Sequence, residues 1–505
     1  MKPIKTSIFI LIVLFLLSAL SFVFPKDGLK IQNFGTLRFA NFEEVFSLKK
    51  TQYADISAII NSAEIEVDTT SLISIDTSAI IKDSLHSVVL KVDSLDTIPI
   101  SKKESIALDT NIKIYNLEYP ENENDALYGF FKILSSVQKS KEPVRIMHYG
   151  DSQIEGDRIS SYIRYKLQKQ FGGTGIGLLP AFQIYNYSVS MKQTASSNWK
   201  RYTILDKNKA GNESKKYGVM SLYSKFTDLN NEANDSTVHE AWIKFEKSKS
   251  TYYTNRKFVK CKMYYGYNNS PLIAELYQGE NLKNVKTIMS SDKLEQITWD
   301  LDNNFDDVTI KFSGKDSPNF YGFSFEDNNG ILVDNFALRG SSGLEFTKND
   351  LQLQKEMSTK FKTGLIILQY GINIVTGNSK DYAYYENWYY NQITTIQKIY
   401  PNTPIIVIGV SDMSRKVEDV YESYPTIEQI RDAQKNAAFR AKCAFWDLYE
   451  AMGGENSMPS WVNHEPPMAA KDYTHFSYQG AKKVAEMFYN SLIFDYNQFV
   501  KRKSS

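Results

Sequence analysis

Short apolar runs, each closed by a polar or glycine-containing turn, recur in two separated parts of this chain. Val144-Arg145-Ile146-Met147-His148-Tyr149 ends in Gly150-Asp151-Ser152, and residues 159–171 follow with helical spacing. Residues 330–337 lead into Arg339-Gly340-Ser341, residues 365–370 into Gly371-Ile372-Asn373, and residues 404–410 into Ser411-Asp412. Residues 444–448 form one more such run, and segments of helical period occupy residues 384–399 and 427–442. Strand and helix in alternation predict a parallel sheet covered on both faces, with a site at the strand C-termini. Gly150 permits a sharp turn, after which Ser152 would face the N–H groups of a helix N-terminus; the same residues also read as a plain strand-to-helix turn with a serine cap.

Between these two parts the period changes. Residues 258–264, 272–277 and 307–312 alternate as strands between Asn, Asp, Gly and Ser clusters. That spacing predicts an antiparallel sandwich inserted into the α/β domain. The run Gly172-Gly173-Thr174-Gly175-Ile176-Gly177 reads as a loop: it lacks the lysine of a phosphate-binding loop, and its helix lies before it. A helix opened by Asp125 is expected ahead of the first core strand.

At the N-terminus, Lys2 and Lys5 precede an apolar run over residues 8–24 that closes at Pro25. Its length suits a membrane span with the lysines inside and the rest exported; a signal peptide cleaved near Ala19 is the alternative. Residues 50–110 repeat Ser, Thr, Asp and Ile without glycine, which predicts a stalk, or else a small β-module. The expected organisation is a signal anchor or signal peptide (1–25), a stalk (26–110), an α/β domain in two parts (111–180 and 330–505), and the insert (181–329).

Composition adds exclusions. Lys plus Arg is 59 against Asp plus Glu 58, so no overall field favours nucleic acid. The two cysteines, Cys261 and Cys443, fall in different predicted domains, and no spacing suggests a metal site or a cofactor. With 33 Tyr and 29 Phe the chain is rich in aromatics, and Tyr252, Tyr253, Tyr264, Tyr265 and Tyr267 of the insert are read either as ordinary strand residues or as a surface for sugar rings.

Acyl transfer needs a nucleophile, a base, a group to orient the base, and donors for the oxyanion. Three strand ends offer Ser152, Gly340 and Asn373, and Asp472-Tyr473-Thr474-His475 precedes the last helix. His148, on the strand, and His464, on a loop, are weaker candidates for the base, and Asp412 reads as a turn residue, or else as a residue that backs the site. Gly-Asp-Ser at 150–152, Gly340, Gly-x-Asn at 371–373 and Asp-x-x-His at 472–475 occur in the chain order of the SGNH (GDSL-type) hydrolases, which this sequence resembles over residues 140–185 and 330–495. The resemblance implies a three-layer, flavodoxin-like α/β fold with Ser152 as nucleophile, His475 as base and Asp472 as its orienting carboxylate. It also implies an oxyanion hole from the Ser152 and Gly340 N–H groups and the Asn373 amide. Gln153 and Ile374 depart from the family pattern, where Leu and Asp are usual.

With an inserted sandwich and an exported location, the chain looks like the peptidoglycan O-acetylesterases, in which a carbohydrate-binding-module-like domain interrupts the hydrolase. The implied substrate is an O-acetylated glycan of the cell envelope on the periplasmic side. An O-acetyltransferase with the same triad, served by a membrane acyltransferase partner, is the alternative. A non-catalytic glycan-binding protein is the third reading.

Overall fold

The computed structural model describes residues 51–60 and 105–504 apart from 185–187, 207–214, 230–236, 303–304, 378 and 380; before residue 51 it describes residues 7–13, 15, 16, 19, 29–31 and 35–37. The chain forms two compact units, Met1–Gln52 and Tyr53–Ser505. In the first, residues 7–13 are helical with Ile8, Phe9, Ile10 and Leu11 exposed, and Leu29–Ile31 pairs antiparallel with Gly35–Leu37. Among the described residues no helix is long and apolar enough to cross a membrane; the expected span over residues 8–24 lies partly outside them.

The second unit is built on one mixed sheet. We label β1 (Val144–Gly150), α1 (Ser160–Phe171), β2 (Gly173–Leu179), β3 (Lys260–Asn268), β4 (Ser291–Asp300) and β5 (Asn319–Ala337). These are followed by β6 (Lys362–Gln369), α2 (Ala383–Ile399), β7 (Ile405–Ile408), the hairpin β8 (Ser414–Val417) and β9 (Val420–Ser423), α3 (Ile427–Arg440), β10 (Ala444–Trp446) and α4 (Tyr478–Ser504). The sheet order is β4-β3-β5-β1-β6-β7-β10, and the last five strands pair in parallel.

Alternate residues of the parallel strands feed two cores. Ile146, Ile331, Leu365 and Ile406 pack with Ile163 and Leu167 of α1 and Phe488 of α4. Met147, Tyr149, Ile366 and Val407 pack with Tyr385, Tyr389 and Ile393 of α2 and Ile430 of α3. A strand buried on both sides is mostly apolar at both parities, which is why these strands read as apolar runs, with buried Arg145, His148 and Asp334 as hydrogen-bonded exceptions. The result is the three-layer α/β/α arrangement expected.

The insert differs from expectation at its exit. A five-stranded antiparallel sheet, ordered Asn281–Ile288, Leu272–Gln278, Asp307–Gly314, His239–Lys247 and Met191–Ala195, packs a sandwich core against β3, β4 and β5. The second layer of that sandwich is not a separate sheet. Strand β5 pairs antiparallel with β3 through residues 319–326 and then parallel with β1 from Ile331 to Ala337, so the boundary expected at 329/330 falls inside one strand. Buried Arg145 on β1 bridges the halves by hydrogen bonds to Asp334 and Glu326, both on β5.

The glycine run is also corrected: it is strand β2, not a loop. Gly173, Gly175 and Gly177 all have positive φ, and a Cβ on Gly175 would lie 2.4 Å from the Phe325 carbonyl oxygen. A Cβ on Gly177 would lie 2.1 Å from Asp334 Oδ1. The backbone lies flush against β5, where only glycine fits. Of the expected stalk, residues 61–104 and most of 26–50 lie outside the described residues, but the stretches on either side of 61–104 are docked rather than extended. Ile56, Ile59 and Ile60 are buried around one helical turn, and the Ile106 N–H and C=O both bond the Asn497 side chain at 2.8 Å. The helix expected from Asp125 begins at Tyr128, and both cysteines are free and buried.

Candidate active site

Register places the site. Gly150 of β1 lies opposite Ala337 of β5 and Gln369 of β6, so three strands stop at one level of the sheet. The residues that follow them, Asp151-Ser152, Arg339-Gly340 and Gly371-Ile372-Asn373, therefore leave from a single edge. The loop before α4 reaches the same edge. Ser152 Oγ is 2.9 Å from His475 Nε2, and His475 Nδ1 is 2.7 Å from Asp472 Oδ2.

Electrostatics settles which ring nitrogen carries the proton. Partial burial would raise the Asp472 carboxyl, but the His475 ring N–H and the backbone N–H groups of His475 and Thr474 more than offset it, bringing it down to about 2. An ionised carboxylate only accepts, so Nδ1 holds the hydrogen and Nε2 presents its lone pair to the Ser152 hydroxyl. Asp472 Oδ1 also accepts from the N–H groups of Thr474 and His475 at 3.0 Å each, which locks the loop in a tight turn.

Gly340 has φ +81°, and a Cβ there would meet nothing within 4 Å; the positive φ alone demands glycine. Asn373 Nδ2 donates to the Ser341 carbonyl at 2.7 Å, tying the third strand end to the second. One expectation fails. Ser152 does not sit at the N-terminus of a long helix, because a short 3-10 turn (Glu155–Asp157) intervenes before α1 begins at Ser160. The groups positioned to face Ser152 are therefore loop donors, not a helix end.

The weaker histidines are placed elsewhere. His148 is buried, hydrogen-bonded to Ser160 Oγ at 2.9 Å and Gln369 Oε1 at 3.1 Å, and burial lowers its pKa to about 4, so it is neutral. His464 Nδ1 lies 2.9 Å from the Pro466 carbonyl and braces its own loop. Asp412 is more than a turn residue. It is buried and accepts from Met413 N, Met458 N and Ser423 Oγ, joining three segments. The tyrosines read as a sugar surface are mostly structural: Tyr264 and Tyr265 are buried, and Tyr252 stacks on Tyr165 with centroids 4.4 Å apart.

Two residues that support the site carry no recognisable role in the sequence. Gln153 donates to the Thr474 carbonyl at 2.8 Å and to Ser411 Oγ at 3.1 Å. It bolts the nucleophile turn to the histidine loop, and its departure from the family's usual Leu is the one signal that marked it. Arg158 donates to the carbonyls of Phe476, Ser152 and Gln153, spanning the same gap. Asp151 is fully buried, and burial raises its carboxyl to about 7 against the opposing hydrogen bond from the Gln153 N–H. The folded chain thus keeps a proton there that an unfolded carboxyl releases above about pH 4, so the contribution of Asp151 to stability falls as pH rises from about 4 to about 7. Asp151→Asn keeps an oxygen for the Gln153 N–H, 2.9 Å away. Its thermal midpoint, relative to wild type, is expected to rise across that window in melts run from pH 4 to pH 8.

A shallow, open cleft lies beside the nucleophile turn, lined by Glu155, Gly156, Leu179, Pro180, Asn335 and Ala337 among others.

A serine with a hydrogen-bonded histidine and aspartate, at the C-terminal edge of a three-layer parallel sheet, is the arrangement of a serine hydrolase, and the chain resembles the SGNH hydrolases in fold. A solved peptidoglycan O-acetylesterase is similar, with TM-score 0.58 and 21% identity, covering 76% of this chain and 99% of that one. A family two carbohydrate esterase from Clostridium thermocellum bound to cellohexaose matches with TM-score 0.23 and 9% identity, covering 50% and 90% of the two chains. A salicylyl-acyltransferase of a tetracycline biosynthetic pathway matches with TM-score 0.26 and 10% identity, covering 62% and 95%. No family model and no curated protein sequence matches the chain.

Proposed function

We propose that the protein is a serine esterase that removes O-acetyl groups from cell-envelope carbohydrate through an acyl-enzyme. The observation that carries this reading is the hydrogen-bonded chain from Ser152 through His475 to Asp472, at 2.9 and 2.7 Å. The Ser152 oxygen attacks the acetyl carbonyl as His475 Nε2 takes its proton. The tetrahedral oxyanion is met by the Ser152 and Gly340 N–H groups and by the Asn373 amide, whose other N–H already holds Ser341. Collapse breaks the ester bond, and His475 returns the proton to the departing sugar oxygen. Water, activated by the same imidazole, then releases acetate from Ser152.

The open cleft beside Glu155 and Ala337 adjoins the nucleophile turn and is the proposed place for the sugar. Anchorage to a membrane with the catalytic unit exported is part of the proposal, supported by the two lysines ahead of residues 8–24 and by the exposed Ile8, Phe9, Ile10 and Leu11. Transfer of the acetyl group to a sugar hydroxyl differs only in what resolves the acyl-enzyme.

Purified protein assayed with p-nitrophenyl acetate and with O-acetylated peptidoglycan, with and without an oligosaccharide acceptor, separates the two. Acetate release independent of acceptor is expected. Product that forms only with acceptor would replace the esterase by a transferase. Asn373→Ala is expected to slow turnover by about two to three orders of magnitude, because a lost oxyanion donor costs roughly 3 kcal/mol. Turnover near normal in that variant would remove Asn373 from the oxyanion hole.

A further inference from the structure

Tyr473 lies between the two residues of the relay that orients the nucleophile, and its backbone is left-handed, with φ +54°. An aromatic residue rarely adopts that conformation unless its surroundings hold it. The turn closed by Asp472 and the Tyr473 N–H bond to the Ala470 carbonyl hold it from within the loop, and the hairpin β8–β9 holds it from outside. The Tyr421 ring on β9 stacks on the Tyr473 ring, with centroids 3.5 Å apart and planes 7° from parallel. The Ser414 N–H on β8 donates to the Tyr473 carbonyl at 3.0 Å.

A two-stranded hairpin of this length has little stability of its own. This one is fastened at its base. Ser423 Oγ donates to buried Asp412 at 2.6 Å, and Ser423 and Asn456 exchange two hydrogen bonds of 2.9 and 2.7 Å. Asn456 is in turn fixed from the N-terminal side. Its carbonyl accepts from the Ala54 N–H at 3.2 Å, while Ser460 Oγ donates to the Ala54 carbonyl at 2.7 Å. Ala54 is anchored by Ile56, Ile59 and Ile60, which are buried in the main core.

We propose that Tyr421 is a positioning residue for the Asp472–His475 loop, mounted on a hairpin that the docked segment at residues 53–60 braces. The hairpin reaches the relay through Tyr473, and nothing in its position requires contact with substrate. The proposal rests on the assignment of Ser152 and His475 as nucleophile and base, and its test is chosen to fail separately from it.

Three measurements on the full chain decide it. Tyr421→Ala is expected to lower kcat for p-nitrophenyl acetate about 10- to 100-fold, the scale of a displaced catalytic group, with KM essentially unchanged. Tyr421→Phe, which keeps the stacked ring, is expected to restore kcat. With five histidines in the chain, ¹⁵N-histidine labelling gives a tractable spectrum in which the Nδ1–H signal of the His475–Asp472 bond is expected in wild type and Tyr421→Phe and broadened or lost in Tyr421→Ala. Should Tyr421→Ala fail to fold by circular dichroism, Tyr421→Leu, which fills space without stacking, is measured in its place.

An unchanged kcat with the His475 signal intact overturns the proposal, as does a rise in KM alone, which would mean contact with substrate. A wild-type protein inactive on acetyl esters, but with a His475 signal that depends on Tyr421, overturns the esterase and leaves the positioning role standing.

Discussion

Ser152→Ala is expected to lower acetyl-ester turnover by about 10⁶-fold, close to the loss of the whole triad, because the three groups act as a unit. His475 Nε2 points at Ser152 Oγ from 2.9 Å and would be left facing a methyl group. Residual rate over water should persist, since the oxyanion donors on the Gly340 and Asn373 loops come from separate strand ends. A serine-directed phosphonate followed by mass spectrometry checks the same point: one adduct on the Ser152 peptide in wild type, none in the variant. Retention of both turnover and labelling would place the nucleophile elsewhere and remove the esterase reading.

Asp472→Asn should cost less, about 10³- to 10⁴-fold in kcat. The carboxylate fixes the imidazole tautomer through a 2.7 Å bond, and an amide that turns its NH₂ toward Nδ1 would favour the wrong one. The lower part of the range is expected because the Asp472 side chain is 50% exposed, so water can partly replace it. The variant should keep its fold and its Thr474 and His475 N–H bonds through the amide oxygen. A loss below tenfold would mean that His475 is oriented chiefly by its neighbours, with Gln153 the first to consider through its bond to the Thr474 carbonyl.

Gln153 and Tyr421 mark where a linear reading stops. The strands that end at Gly150 and Gln369 were legible because burial on both faces favours a largely apolar run, and such runs stand out against polar turns. Ser152, Asp472 and His475 were legible because their chemistry is specific and their turns are short. Asp412, by contrast, looked like a turn residue because its Met458 and Ser423 partners lie far along the chain and nothing local points to them. Tyr264 and Tyr265 could have faced either way, since a strand pattern gives alternation but not the side on which a second layer packs.

The α/β architecture and the parts of the relay follow from residue order alone, since apolar period and turn chemistry are local properties that each segment carries with it. The joining of those parts does not. That Gly173, Gly175 and Gly177 form a strand, that residues 319–337 run unbroken from the sandwich into the parallel sheet, and that a hairpin and an N-terminal segment back the histidine loop are all consequences of contacts between distant segments. Such contacts depend on how closely two backbones approach once folded, a quantity that no single stretch of chain encodes.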